Sequence, residues 1–368
     1  MPKLYEVKDS PGKGKGMFAT VNIKAGDLIM REDGRMKIVG FWRRDHREKQ
    51  AEAEVQQAFL ALSPAEKQEI IQLRDDTTIN GSKIVRIYLT NAKSEKGDSV
   101  IYLKMARLNH SCVPNAEMGG FGGVAETTLV ATRKINKGEE IFITYRGEHL
   151  DGPRAERHQG LMRVHRFVCE CRVCSLTGRE LVMSDIRRKL FQSLVSRRFE
   201  AMPTAADAQR AERGGIPRES GSSLTYREKV AYSFLTARIM EAEGMSGVII
   251  GDSYFSAAMA LLAQIQNMDT FIVLPSIEFL RELFELTIKA TSEIRDADSP
   301  EVRNVKSYWT FLQEHNPQVK IGLGLIKRVA SEGIPASKAY AKNMMDGSFV
   351  SRAECLEILK KERVSPSV

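Results

Sequence analysis

The sequence predicts an α+β protein: a β-rich first half, broken by a largely helical insertion and closed by a zinc-binding segment, and then an all-helical C-terminal domain. Three observations carry that prediction. Before residue 150, short runs rich in β-branched and aromatic side chains, such as Ile141-Phe142-Ile143-Thr144-Tyr145, alternate with glycine turns. Three of the five cysteines crowd into Cys169-Glu170-Cys171-Arg172-Val173-Cys174. From Arg179 onward turn signals thin out and apolar residues recur at helical spacing, as in Val230, Phe234, Leu235 and Ile239.

Composition bounds the class. A chain of 368 residues, 42% of them hydrophobic, can bury a large core and should divide into two or more domains. It has no long apolar run, and Met1-Pro2-Lys3-Leu4-Tyr5-Glu6 lacks the apolar core of a signal peptide. The expectation is therefore an intracellular protein, cytoplasmic, nuclear or both, with no membrane span. Clustered cysteines fit a reducing compartment, where thiolates hold metal, better than a disulfide scaffold. The net charge of +8 permits an acidic partner such as nucleic acid or chromatin. The Lys and Arg residues are spread along the chain, however, which argues against direct nucleic-acid binding.

Taken in order, residues 10–19 (Ser-Pro-Gly-Lys-Gly-Lys-Gly-Met-Phe-Ala) read as a glycine-punctuated loop, either a turn between strands or a loop that approaches a ligand. It is not a phosphate loop, because Lys13 and Lys15 are each followed by glycine rather than Ser or Thr. Ile23-Lys24-Ala25-Gly26-Asp27-Leu28-Ile29 and Ile135-Asn136-Lys137-Gly138-Glu139-Glu140-Ile141 both read as a turn feeding a strand. Between them, residues 47–73 are helical in character, and Ser63-Pro64-Ala65-Glu66 supplies an N-cap, a first-turn proline and the capping-box glutamate. Residues 84–89, 100–103 and 127–131 are strand-like. The last two bracket a polar run, Arg107-Leu108-Asn109-His110-Ser111-Cys112-Val113-Pro114-Asn115, which therefore sits on a connection between strands. Past Arg179, helices are expected near residues 230–239, 252–266, 275–290, 302–314 and 352–361, packed antiparallel, with a mobile loop at 205–223. There is no strict repeat period, so a tetratricopeptide-like array is one arrangement open to these helices.

Taken alone, the polar run reads first as an ordinary Asn/Ser/Pro loop. The downstream cysteines change that reading, because three thiols lack a fourth and Cys112 can supply it. Zinc takes four ligands tetrahedrally, so Cys112, Cys169, Cys171 and Cys174 form a candidate structural zinc site that ties two distant segments together. A redox pair is the weaker reading. Cys355 falls on an amphipathic pattern and reads as a buried apolar residue.

Four motifs together, Gly14-Lys15-Gly16-Met17-Phe18-Ala19, the run 107–115, Gly138-Glu139-Glu140-Ile141-Phe142-Ile143-Thr144-Tyr145 and the Cys-x-Cys-x-x-Cys cluster, resemble SET-domain methyltransferases in that family's order. The helical insertion and helical tail resemble the SET-and-MYND subgroup, as in fungal-type relatives. The insertion holds no cysteine, so the subgroup's MYND zinc finger and its partner-binding role are not carried over. The resemblance implies residues 1–35 as the first part of a SET domain, 36–95 as the insertion, 96–148 as the second part, 149–178 as a post-SET zinc segment and 179–368 as the helical domain. It implies S-adenosylmethionine as cofactor. Lys13, Gly14 and Lys15 would offer backbone groups to it, Asn109 and His110 would hold its amino-acid and adenine parts, and Phe167 would stack on the adenine. Asn91 matches an asparagine that approaches the cofactor, and Tyr145 matches the catalytic tyrosine.

The departures concern the substrate. In the subgroup, aromatic side chains line the channel that admits a lysine, a wall suited to an alkylammonium. Two of those positions are Lys93 and His165 here. Three readings follow from the resemblance. The family default is a protein-lysine methyltransferase acting on a histone or another protein, its partner chosen by the basic surface and the helical tail. The second is a SET-derived enzyme with a repurposed channel acting on a non-lysine, perhaps small-molecule, substrate. The third, a non-catalytic cofactor-binding scaffold, is opposed by the intact Asn109, His110 and Tyr145.

Overall fold

The computed structural model describes residues 3–39, 48–95, 98–119, 126–145, 151–200, 225–266, 274–295 and 298–331. The mobile loop expected at 205–223, the helix expected at 352–361 and Cys355 lie outside the described residues. The chain divides into two compact units, one of Met1–Leu150 with His158–Arg172, the other of Asp151–Arg157 with Val173–Val368.

The first unit carries three small sheets. Strands β1 (Tyr5–Ser10) and β2 (Gly14–Ala19) form an antiparallel hairpin with Ser10 opposite Gly14. Here the structure corrects the sequence reading, since only residues 11–13 turn and the rest of the supposed loop is a strand. Gly14 enters that strand at φ 78°. Gly16 remains in it because the Glu140 carboxylate occupies the space that a Cβ would fill. Pairing on both sides, with β1 and with β10 (Glu140–Ile143), outweighs glycine's poor strand propensity. The four-stranded sheet is completed by β7 (Asn109–His110), giving the order β1-β2-β10-β7.

A second sheet joins β3 (Leu28–Asp33), β9 (Glu126–Ala131) and β8 (Ala116–Gly119) in the order β3-β9-β8, and a third joins β4 (Arg35–Ile38), β6 (Asp98–Ile101) and β5 (Lys93–Glu95) in the order β4-β6-β5. The two turn-plus-strand patterns meet at a bridge, Ile23 opposite Ile135, and both turn glycines take left-handed backbone, Gly26 at φ 86° and Gly138 at φ 83°. Met17, Ile23, Leu108, Leu129, Ile135 and Ile141 close the core among these sheets.

The insertion holds α1 (Glu48–Leu60) and α2 (Pro64–Ile71), the latter started by the expected capping box, in which Ser63 and Glu66 bond each other's backbone N–H. Residues 84–89, read from their β-branched content as a strand, belong instead to α3 (Lys83–Asn91). Burial decides the matter: Val85 and Tyr88, one turn apart, pack with Val55 of α1 and Ile70 of α2 in one apolar cluster. Arg86 then projects outward as a fork onto Asp75, at 2.7 and 2.8 Å.

The helix α4 (Arg154–His165) follows the sheets. The second unit is built from α5 (Gly178–Glu200), α6 (Tyr226–Ala242), α7 (Val248–Gln266), α8 (Leu274–Ser292), α9 (Pro300–His315) and α10 (Pro317–Ser331). Successive helices pack on one another around Phe234, Tyr254, Phe279 and Phe284, with Phe284 stacked on Trp309 at 4.7 Å. A buried ionic group ties α5 to the end of α6. Glu243 accepts from Arg187 at 2.6 Å, from Arg188 at 2.9 Å and from the Ser184 hydroxyl at 2.7 Å. These bonds hold its carboxyl below the usual range against the opposing effect of burial. Glu243→Ala strands the buried Arg188 guanidinium beside an empty space. The expected loss is about 3 kcal/mol in denaturant unfolding of this unit, and a loss below about 1 kcal/mol contradicts the ionic role.

Candidate active site and cysteine centre

The polar run is positioned by strand pairing. β7 lies parallel to β10, with Asn109 opposite Phe142 and His110 opposite Ile143. The Ser111 N–H continues the pairing to the Ile143 carbonyl at 2.9 Å. Fully buried Asn115 then uses its side-chain amide as a stretch of backbone would: its oxygen accepts from Phe142 N–H at 2.7 Å, and its nitrogen donates to the Glu140 carbonyl at 2.9 Å. Sequence reading quoted Asn115 in the motif and gave it no role. Its signal was its place in the run, where a buried side-chain amide needs partners.

Asn109 meets the hairpin. Its amide nitrogen donates to the Lys15 carbonyl at 3.1 Å and to the Glu140 carboxylate at 2.7 Å. Glu140 also accepts from the Ser10 hydroxyl at 3.0 Å and pairs with Lys13 at 3.5 Å. Of the expected cofactor residues, Lys13, Lys15 and Asn109 are thus gathered at one edge through Glu140, which sequence reading did not single out. Lys13, which closes the hairpin turn, and Lys15, one residue into β2, are both exposed. Asn91 is buried, with its amide nitrogen donating to the Arg74 carbonyl at 2.8 Å and the Ile87 carbonyl at 2.7 Å. Those hydrogens serve the protein's own backbone.

His110 is buried and bonded on both ring nitrogens. Its Nδ1 accepts from the Tyr145 backbone N–H at 3.0 Å, which leaves Nε2 to carry the proton toward Cys112 Sγ at 3.3 Å. The four predicted cysteines come together: their sulfurs all lie within 4.8 Å of one another, and Cys112 and Cys169 are 3.9 Å apart. Four thiolates bonded to zinc at about 2.3 Å have tetrahedral edges of about 3.8 Å, so the donor set could hold a metal ion. Two donors sit against the sulfurs, the Cys171 N–H on Cys169 at 3.5 Å and Arg157 on Cys174 at 3.4 Å, as thiolates require.

Tyr145 stands at the centre of an aromatic group. Its hydroxyl donates to the Leu108 carbonyl at 2.9 Å. Its ring lies 4.8 Å from that of His165, 5.2 Å from His110 and 6.3 Å, edge on, from Phe167. Lys93 Nζ sits over the same ring at 4.7 Å from its centroid. Both departures from the aromatic channel therefore face the tyrosine. Arg74, which sequence reading did not identify, donates to the His165 carbonyl at 2.7 Å. Burial lowers the Lys93 pKa to about 8. It also lowers that of His165 to about 4, with Lys93 and Arg74 adding to the effect. Burial raises the Tyr145 pKa to about 12, Arg74 opposing and Glu140 assisting. At neutral pH the group is a neutral phenol, a neutral imidazole and an ammonium.

Comparison with known proteins agrees with this geometry. Residues 14–146 match the SET domain family, and the chain carries a SET domain followed by a helical region. Histone-lysine N-methyltransferase set5 of Schizosaccharomyces pombe is 29% identical over 189 residues, 51% of this chain and 56% of that protein. N-lysine methyltransferase SMYD2-A of Xenopus laevis is 36% identical over 90 residues, and human SMYD2 is 33% identical over 90, in each case 24% of this chain and 20% of the relative. The chain therefore spans about half the length of the first relative and about a fifth of the others. No helix among the described residues is long and apolar enough to cross a membrane.

The Lys93 ammonium costs stability in this setting. Its folded pKa lies below the unfolded one, so the cost is full below about pH 8 and fades as pH rises toward the ordinary lysine value. Lys93→Met should therefore stabilise the protein by about 1–3 kcal/mol at pH 7, with a smaller gain at pH 10. Denaturant unfolding at the two pH values checks this, and a less stable variant at pH 7 contradicts it.

Proposed function

We propose that this chain is an S-adenosylmethionine-dependent methyltransferase whose acceptor, by the family default, is a protein lysine, histone or non-histone, met in the cytoplasm or nucleus. The observation that carries this reading is Tyr145, anchored to the Leu108 carbonyl and surrounded by His110, His165 and Phe167 beside the paired β7 and β10. The residues suit the cofactor. Asn109 holds the Lys15 carbonyl, and the partly exposed Phe167 ring lies 6.1 Å from His110, so the hairpin edge and an aromatic face converge on one strand. The cofactor supplies an electrophilic methyl on a sulfonium, open to in-line displacement.

The protein's task is alignment and exclusion of water. Lys13, Gly14 and Lys15 would offer backbone groups where the hairpin turn enters β2, Asn109 and His110 would hold the amino-acid and adenine ends, Asn91 supports the adjoining backbone, and Phe167 would stack on the adenine. The Tyr145 hydroxyl and nearby carbonyls orient the acceptor, which loses its proton to water. Cys112, Cys169, Cys171 and Cys174 would hold a structural zinc ion. Through Cys112 and His110 that centre supports the backbone at Tyr145. The helical tail would select the protein partner. A second reading, a non-lysine acceptor, is favoured by one observation, the Lys93 ammonium over the Tyr145 ring.

Tyr145→Phe is expected to keep cofactor binding and lose about 100-fold or more in turnover, measured with methyl-labelled S-adenosylmethionine and a cell extract. A rate equal to wild type removes Tyr145 from the chemistry. Cys171→Ser should lower bound zinc from about one ion per chain and destabilise the first unit. Unchanged metal content in the purified variant contradicts the zinc assignment.

A further inference from the structure

Lys93 opens β5 and stands opposite Val100 of β6 in an antiparallel pair. Residues directly opposite in such a pair send their side chains to the same face. Val100 is fully buried in the core against which Tyr145 packs, so the strand register aims Lys93 at that tyrosine. The result is an amine fixed over the ring, with Nζ 4.7 Å from the Tyr145 centroid. His165, its ring 4.8 Å from the tyrosine ring, and Arg74 face the same group, and Glu140 acts on the tyrosine as well.

The chemistry of this group suits an amine. The Tyr145 hydroxyl donates its hydrogen to the Leu108 carbonyl at 2.9 Å, which leaves its oxygen to accept from an N–H. With a pKa near 8, about a tenth of Lys93 is neutral at pH 7, against less than about a thousandth of an ordinary lysine. A partly exposed amine, held beside the candidate methyl-transfer tyrosine by strand pairing, has the position and the lone pair that a methyl acceptor requires.

We propose that Lys93 is a self-methylation site, its side-chain nitrogen taking a methyl group at the Tyr145 centre of the same chain. This rests on the reading of Tyr145 as the methyl-transfer centre and keeps that reading's lysine chemistry, adding an internal acceptor to the external one. The Lys93 ammonium first gives one proton to water. The lone pair of the neutral nitrogen then forms the new carbon–nitrogen bond, and the methyl–sulfur bond of S-adenosylmethionine breaks with its electron pair going to sulfur. The products are N-methyl-lysine, S-adenosylhomocysteine and the released proton. The modified side chain also fits its place better. A methyl group replaces an N–H that calls for water with apolar surface, and methylated ammonium groups rest favourably on an aromatic face such as that of Tyr145.

The test uses the full chain, wild type, Lys93→Met and Tyr145→Phe, incubated with deuteromethyl S-adenosylmethionine and no other protein. Peptide mass spectrometry of wild type should place the heavy methyl on Lys93, at a rate per chain that stays constant over about a tenfold range of protein concentration. An unlabelled methyl already on Lys93 of fresh wild type and missing from Tyr145→Phe supports the proposal equally. Tyr145→Phe should lose about 100-fold or more of the Lys93 methylation, and Lys93→Met should carry no label. Label confined to other lysines, label on Lys93 that survives in Tyr145→Phe, or a rate that climbs with concentration overturns the proposal.

A second readout needs no turnover. Trace acetic anhydride marks lysines through their neutral amines, and saturating S-adenosylhomocysteine should shield Lys93 by about threefold or more while the exposed Lys24 is marked as before. An unshielded Lys93 in protein shown by calorimetry to hold S-adenosylhomocysteine overturns the proposal. Failure of the underlying reading has its own signature, namely no calorimetric binding of S-adenosylhomocysteine by any of the three proteins.

Discussion

The short parallel pairing of Asn109 and His110 with the strand that ends in Tyr145 is the constraint on which the rest of the site depends. Two residues of strand make too few backbone bonds to hold a buried polar run by themselves. Asn115 makes up the shortfall by acting as extra backbone toward Phe142 and Glu140. With that run fixed, Asn109 reaches the hairpin, His110 reaches both Tyr145 and Cys112, and Cys112 reaches the cysteine cluster. One segment therefore sets the candidate cofactor edge, the tyrosine and the metal ligands at once, and displacing it would disturb all three.

The electrostatics of the site follow from burial more than from pairing. Tyr145, His165 and Lys93 are all pushed toward their neutral forms by loss of water. For the phenol and imidazole this leaves uncharged, orienting groups. For Lys93 it leaves a cation that stays largely protonated at pH 7 and faces the Tyr145 ring. The SET domain's relatives carry names of protein-lysine methyltransferases, and in this chain the Lys93 ammonium lies over the Tyr145 ring.

Much of the site is legible in the sequence because its chemistry is concentrated. Four cysteines with two spacings, one polar run and one strand-end tyrosine identify elements that the fold brings together. The capping box at Ser63 is equally plain, since its residues encode local hydrogen bonds. What is hidden depends on tertiary burial. The segment Ile84-Val85-Arg86-Ile87-Tyr88-Leu89 has strand propensity, yet forms a helix because Val85 and Tyr88 share one buried face. Gly14 and Gly16 look like loop residues, and the need for glycine at 16 within a strand depends on Glu140, far away in the chain. Arg74 gives no local signal at all, because its influence on His165 and Tyr145 arises only after folding.

The central claim is that the hairpin edge, Asn109, His110 and Phe167 form a cofactor site beside Tyr145. A crystal structure of the protein grown with S-adenosylhomocysteine tests it most directly. The expected result is the adenine against the Phe167 ring and the amino-acid end at Asn109 and residues 13–15. Absence of the ligand at saturating concentration, or its binding away from Tyr145, would contradict the account.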